Sequence, residues 1–463
     1  MAETNDNIDL IMGDHKTAIK KLAWPIIFSM LFVTLYNIAD EIWVAGLGME
    51  ELAAIGFVAP LLMIAMSLGS GTEIAVNSLI ARFIGSNNYK QANNTALHGM
   101  IITLIISIIC GISLCLALPT ILMWMNAGSA TQAALNYSYI QFGCLFITLY
   151  NNIAIAILRA EGNAKRVMYA MMATSILNMI LDPIFIYYLH MGISGAAYAT
   201  VLSTLISCLI LFYWIQYKKD IYLDLSLSNF KFNKAIVLDL FNIAIPYTIE
   251  CIMLSSLSII GNWLFVTAGG VNGVATYAAV LRLIEVVDLP ISGIGFALIT
   301  VAGAAYGSKD FKKLKQSFGY GLKLTLTITT ILVVIFLVFA PQLCTAFTNQ
   351  QTASMIPHIA LALRIMVLKF YGVCFGTLSV MFFQGIGKGI TAFVIKMFRC
   401  TVCEYIFAIL FAVTLGLGEF GIYGGIVIGG FIGGIVALVY AKYYINKIMK
   451  QSHEDIDIKT TPV

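Results

Sequence analysis

Four acidic residues, Asp40, Glu41, Glu73 and Asp182, interrupt otherwise apolar stretches in the first half of the chain. An ionisable side chain at hydrocarbon depth costs about 2.5 to 3.5 kcal/mol, so each needs a partner or a task. Two of them bring a partner on their own helix. Tyr36 stands four residues before Asp40 and Asn178 four before Asp182, a spacing that puts each pair on one helix face. At 1.5 Å per residue, Asp40 lies roughly 27 Å and Asp182 roughly 22 Å from the cytoplasmic starts of their apolar runs. Thr200, on a run that enters from outside, lies roughly 9 Å below the outer surface by the same rise. All three therefore share the outer half of the bilayer. Two carboxylates, an amide oxygen and a hydroxyl at one depth suit either a Na⁺ ion held by oxygen ligands or a shared proton. Helix capping is the structural alternative for both acids, and interfacial placement is the simpler reading of Glu41.

The elements that position these residues are membrane spans. The 463 residues are 60% hydrophobic and only 11% charged, against roughly a quarter charged in soluble domains. The mean hydropathy is +0.90. A net charge of +4 spread over this length leaves no basic face for nucleic acid. The first apolar run is too long for a signal-peptide core, so it is expected to remain in the protein. Cutting at Gly, Pro, charged and Asn-rich breaks gives twelve runs near the 20 residues a helical span needs. They fall at about 19–45, 52–81, 93–119, 132–158, 166–189, 194–217, 235–267, 273–303, 317–340, 355–383, 389–415 and 421–446. Lys and Arg cluster before the first run, in every second loop and after the last run. The alternate loops near 46–51, 120–131, 190–193, 268–272, 341–354 and 416–420 contain neither. The positive-inside rule then predicts an even number of spans with both termini cytoplasmic, in the cell membrane.

The chain also repeats itself. Trp24-Pro25-Ile26 recurs as Ile245-Pro246-Tyr247, and Gly85-Ser86 recurs as Gly307-Ser308. Further on, Gly162-Asn163 aligns with Gly385-Ile386 and Gly192-Ile193 with Gly421-Ile422. Six spans per copy is an even number, so the copies share one orientation, as in parallel-repeat transporters. The expected fold is an all-α polytopic membrane protein with twelve transmembrane helices in two pseudo-symmetric six-helix bundles around a central cleft. Residues 1–217 form the amino-terminal bundle, 218–234 a polar linker, 235–450 the carboxy-terminal bundle and 451–463 a cytoplasmic tail.

The run from Asn178 to Ile186, with its Asn-x-x-x-Asp-Pro element, resembles the multidrug and toxic compound extrusion (MATE) transporters. So do the Arg159-Ala160-Glu161-Gly162-Asn163 turn, the stretch from Gly192 to Thr200, and Asp40. The resemblance covers essentially the whole chain and is nearest to the DinF-like branch. It implies an amino-lobe cation or proton site at Tyr36, Asp40, Asn178, Asp182 and Thr200. It also implies that Tyr137, Asn152 and Glu161 lie in or near the same cavity and its cytoplasmic closure. Tyr137 also reads as an interfacial aromatic, and Glu161 as an interfacial ion pair with Arg159 and Lys165. The NorM-like branch carries an acid eight positions after the span 7 proline. Here that position is Leu254, and Gly261 stands where Asp40 would repeat, so coupling is expected in the first bundle alone.

Other features carry less. Met63 and Met66 are candidate cavity residues among 20 methionines, which repack readily around varied ligands. The nine cysteines, Cys400 and Cys403 included, read as small buried hydrophobes. Glu250, Arg282, Glu285, Asp288, Arg364, Lys369, Lys396, Arg399 and Glu404 of the second bundle read as an internally paired network or a mixed-sign cleft wall. The sequence predicts a secondary active exporter of cationic or amphiphilic compounds, driven by H⁺ or Na⁺ through alternating access. A flippase for a lipid or lipid-linked sugar is the alternative on the same architecture. No enzyme motif and no cofactor are expected, and the expected partners are amphiphilic small molecules and membrane lipid around a monomer.

Overall fold

The computed structural model describes residues 2–217, 221–226, 228, 230–345 and 355–460. Met1 and positions 218–220, 227, 229, 346–354 and 461–463 lie outside the described residues. Among the described residues every regular element is helical. Among the described residues eleven helices are long and apolar enough to cross a bilayer, and a bent pair, taken as one span, completes a twelfth. In chain order, spans 1 to 6 are His15–Ala45, Met49–Gly85, Tyr89–Trp124, the pair Gly128–Gly143 and Leu145–Ala160, Ala164–Tyr188, and Ile193–Gln216. Spans 7 to 12 are Lys234–Gly270, Asn272–Gly307, Phe311–Val338, Ile356–Gly385, Gly389–Thr414 and Gly418–Ser452. Span 4 is the one that departs in shape from the expected run, bending by 46° after Gly143. Gly111 of span 3 admits its backbone there, because a Cβ at that glycine would lie 2.5 Å from the Phe142 carbonyl oxygen.

Two compact units emerge from the packing. The first comprises Met1–Asp14 and Trp24–Ile252, and the second His15–Ala23 and Met253–Val463. The boundary set by packing thus falls inside span 7, whereas the repeat in sequence divides the chain at the linker. The helix Ala2–Met12 belongs to the first unit and lays Ile11 against Gly162, whose φ of 81° opens the turn between spans 4 and 5.

The turns show the duplication more sharply than the letters do. Asn87 and Lys309, 222 positions apart, both take positive φ, at 54° and 59°. The residue after each caps the next helix: Asn88 Oδ1 accepts from Gln91 N and Asp310 Oδ1 from Lys313 N. Gly162 and Gly387 share a φ of 81°, a displacement of 225. His190 and Gly192 (φ 53° and 56°) correspond to Gly416 and Gly418 (φ 67° and 58°), a displacement of 226. The sequence alignment of Gly162 with Gly385 and of Gly192 with Gly421 is therefore corrected by two and three residues. Left-handed backbone, which glycine adopts without strain, fixes the register where letter matching slips.

The described part of the linker is bound along the first unit. Asn94 exchanges two hydrogen bonds with the Lys231 backbone, at 2.7 and 3.2 Å. His98 Nε2 accepts from Asn233 N at 3.1 Å, so its Nδ1 carries the proton donated to the Asn94 carbonyl at 2.8 Å. Ile221, Leu223 and Leu225, alternating along the segment, are buried.

Candidate cation site

The site begins at the end of span 5. Pro183 has no N–H to give to the helix ladder, and the next five residues, Ile184–Tyr188, form a π-helical turn. Span 6 returns against this turn because Gly195 has no side chain: a Cβ there would lie 2.6 Å from the Phe185 carbonyl carbon. That close approach sets Thr200 opposite Asn178. The Asn178 amide Nδ2 donates to Asp182 Oδ1 on its own helix and to Thr200 Oγ1 on the neighbour, each at 3.3 Å. Asp182 is 0% and Asn178 1% exposed.

Span 1 is tied to this pair from above. Tyr187 in the π turn donates to the Trp43 carbonyl oxygen at 2.6 Å, three residues beyond Asp40. Asp40 and Asp182 lie within each other's electrostatic reach, and Tyr36 and Tyr137 feel both charges. Tyr137 is buried, accepts from Gln141 Nε2 at 3.3 Å and sits in the packed core with Ile186 and Ala196. The structure therefore brings six sequence-predicted residues together: Tyr36, Asp40, Tyr137, Asn178, Asp182 and Thr200. Its electrostatics are one-sided. Asp40 Oδ1, Asn178 Oδ1 and Asp182 Oδ2 are buried and accept from no donor among the described residues. Buried acceptors are normally satisfied, and a cluster with three unsatisfied acceptor atoms, two of them carboxylate oxygens, fits a proton or a hard cation such as Na⁺. No cluster of three His, Cys, Asp or Glu side chains able to hold a metal occurs among the described residues, so any Na⁺ would lean on the amide and hydroxyl oxygens.

The other candidates lie elsewhere. Asn152 packs beside Gly69 of span 2 and has no hydrogen bond with another described residue. Met63 is 57% exposed, and Met66 packs against the hydrophobic core. Glu161, 3% exposed, lies between spans 4 and 5 and accepts from Leu223 N of the linker at 2.8 Å. Burial pushes its carboxyl up to about 7, against the opposing pull of the Leu223 and Tyr222 N–H groups and the Arg166 charge. The ion pair of Glu161 with Arg159 is not formed. Arg159 instead reaches Glu73 of span 2 at 2.6 Å, well inside the first unit. Sequence reasoning missed that pairing and the Tyr187 tether. The usable signals were an unexplained acid in span 2 and an aromatic four residues past a helix-interrupting proline.

The second unit keeps the scaffold and changes the side chains. At the displacement of 226 set by its turns, Asp182 falls on Ala408 and Thr200 on Ile426, while Asn178 falls on Glu404. Gly421 repeats the role of Gly195, since a Cβ there would meet the Phe411 backbone at 2.7 Å. Glu404 is engaged by Arg399 at 2.6 Å. At the start of span 12, Glu419 receives the Tyr423 hydroxyl at 2.9 Å and lies 3.2 Å from His358 Nε2.

Twelve helical spans, a duplicated six-span plan and a buried cluster of unsatisfied acceptors define a polytopic membrane transporter rather than an enzyme. The MatE family model matches the chain twice, over residues 25–184 and 246–410, with starts 221 and ends 226 positions apart. The chain belongs to this family, the multidrug and toxic compound extrusion transporters. A probable multidrug resistance protein of Bacillus subtilis, YoeA, is 26% identical over 334 residues, 70% of this chain and 72% of the relative. A crystal structure of MATE in complex with MaL6 superposes with a TM-score of 0.94 at 36% identity, covering 96% of this chain and 99% of that one. A MOP superfamily transporter from Pyrococcus furiosus, for which reversed polarity of the binding pocket suggests a different function, matches at 36% identity and a TM-score of 0.93, covering 96% and 98%.

Proposed function

We propose that the protein is a secondary active multidrug exporter of the cell membrane, with both termini cytoplasmic, which expels cationic or amphiphilic compounds in exchange for H⁺ or Na⁺. The observation that carries this reading is the set of buried, unsatisfied acceptor atoms of Asp40, Asn178 and Asp182 in the first unit. Two carboxylates in one poorly solvated region repel each other, and one bound positive charge relieves that repulsion. Binding from the outer side thus favours the conformation in which the cluster is closed around the cation. A switch from 1:99 to 99:1 between two conformations needs about 5.5 kcal/mol of differential binding. The absence of Asp182 and Thr200 counterparts at Ala408 and Ile426 supports a single coupling site, in the first unit. The names of relatives such as the B. subtilis protein support the efflux of several compounds.

Ethidium efflux from proteoliposomes under an inward Na⁺ gradient or an inward H⁺ gradient, for wild type and Asp182→Asn, tests this reading. The expected result is efflux driven by one gradient and lost in the variant. Dye movement indifferent to both gradients, or a variant equal to wild type, would remove the exporter reading.

A further inference from the structure

Span 9, Phe311–Val338, carries one ionisable residue beyond its Lys-rich first turns, Lys323. One side of this helix, with Leu314, Phe318, Gly321, Thr325 and Thr329, is buried, and spans 10 and 12 of the second unit pack on it. Lys323, Thr327 and Thr330 are exposed on the other side. The two hydroxyls are satisfied within the helix: Thr327 Oγ1 donates to the Lys323 carbonyl at 2.9 Å and Thr330 Oγ1 to that of Leu326 at 2.7 Å. The Lys323 ammonium has no hydrogen bond or ion pair with another described residue.

A groove of about 560 Å³ runs along this face from Gly319 to Ile331, lined by Lys323 and, beyond it, by Leu326, Thr327, Thr330 and Ile331. A Cβ at Gly319 would meet nothing within 4 Å, so the groove is open at the lysine end. The uncharged run 324–339 covers roughly 24 Å of a hydrocarbon layer about 30 Å thick, which puts the Lys323 backbone roughly one helical turn inside it. Helical side chains lean toward the N-terminus. Here that is the Lys-rich end, so the Lys323 stem carries its charge toward the headgroups, as snorkelling lysines do. From Lys323 to Ile331 the groove runs roughly 12 Å, within the depth of about 15 Å of one leaflet.

The neighbouring helices offer this cation no carboxylate. Spans 9 and 10 contain no Asp or Glu, and the single acid of span 12, Glu419, stands at its far end. The near end of span 12 is marked by Asn446, which accepts from Lys315 Nζ at 3.1 Å. Asp310 caps the first turn by accepting from Lys313 N and lies roughly 20 Å back along the axis. Lys312, three turns before Lys323 on the same side, and Lys315 are both exposed, so the mouth of the groove is basic. A second copy docked here about a two-fold axis would set Lys323 against its own counterpart. A phosphate monoanion complements the charge instead.

We propose that this groove holds one anionic phospholipid, with its phosphate on Lys323 and an acyl chain along Leu326, Thr330 and Ile331. On the orientation proposed above the lipid belongs to the cytoplasmic leaflet, and it is a resident of the second unit rather than exported cargo. The test is native mass spectrometry of the purified full-length protein, titrated with dioleoyl phosphatidylglycerol or dioleoyl phosphatidylcholine. Wild type is expected to retain one phosphatidylglycerol roughly tenfold more tightly than phosphatidylcholine, the scale of a hydrogen bond to a charged group. Lys323→Gln removes that preference and Lys323→Arg keeps it. Thr330→Trp fills the groove with the charge intact and weakens retention of both lipids. Equal or absent retention of the two lipids by wild type, a preference that survives Lys323→Gln, or unchanged retention in Thr330→Trp overturns the site. So does a dimer in lipid-free detergent that Thr330→Trp abolishes, since a second copy would then be the occupant.

Discussion

Docking of the linker on the first unit is expected to weaken as pH rises, and Glu161 sets both sign and size. Docked, this carboxyl is 3% exposed and is pushed up to about 7. Lifting residues 221–225 away would return it to water and to the ordinary value of 4.5. The docked form therefore binds the proton more tightly than the undocked form. By linkage, the stabilisation is complete below about pH 4.5 and is lost as pH rises to about 7. Moving between those two values is worth on the order of 3 kcal/mol, or roughly two decades in the docking equilibrium. Amide hydrogen exchange at Leu223, whose N–H meets Glu161 Oε1 at 2.8 Å, reads that equilibrium once corrected for intrinsic exchange. Protection should fall by about two decades from the acidic to the neutral end in wild type. Glu161→Gln keeps an acceptor but cannot ionise, so its protection should stay flat. Protection that rises with pH in wild type, or an equal slope in the variant, would refute the reasoning.

Two further perturbations probe the scaffold. Gly195→Val drives a side chain into the Phe185 backbone, 2.6 Å from the position of its Cβ, and should cost about 1 to 3 kcal/mol as overpacking does. The melting temperature in detergent should drop, and stabilisation by added Na⁺ or acid should shrink because Thr200 leaves Asn178; an unchanged melt would refute the close approach. Arg159→Gln leaves the part-buried Glu73 without its 2.6 Å partner and should destabilise by about 1 to 3 kcal/mol. Adding Glu73→Gln should recover much of that loss, and a strictly additive double variant would show that the two residues do not depend on each other.

Spans, repeat and most of the candidate cation site were legible in the sequence because each rests on a local rule. Hydropathy and the Lys and Arg distribution mark the spans, and four-residue spacing marks Tyr36 with Asp40 and Asn178 with Asp182. Thr200 followed from its depth and from the family resemblance of the stretch Gly192 to Thr200. What escaped was information carried between segments. Arg159 has a carboxylate two positions away at Glu161, yet its partner is Glu73, 86 residues earlier. The Glu161 side chain turns instead to backbone N–H groups of the linker, which leave no mark on residue type. The linker read as a polar tether because its charges dominate its composition. The alternation of Ile221, Leu223 and Leu225, all buried, was the overlooked sign that one of its faces packs.

The repeat also shows how the two halves diverged in chemistry while sharing a backbone. Turn residues are constrained by φ, so Asn87 and Lys309, or Gly162 and Gly387, keep one geometry although letters around them drift. Side chains facing the interior are free of that constraint. In the second unit the aspartate position has become Ala408, and an acid appears at Glu404, the counterpart of Asn178, one helical turn earlier. There it meets Arg399 at 2.6 Å within a π segment that the first unit does not have at the equivalent place. An acid with a fixed internal cation is poorly suited to exchanging an external one. An acid pair without one, as at Asp40 and Asp182, retains that capacity, so the cation coupling proposed above falls to the first unit.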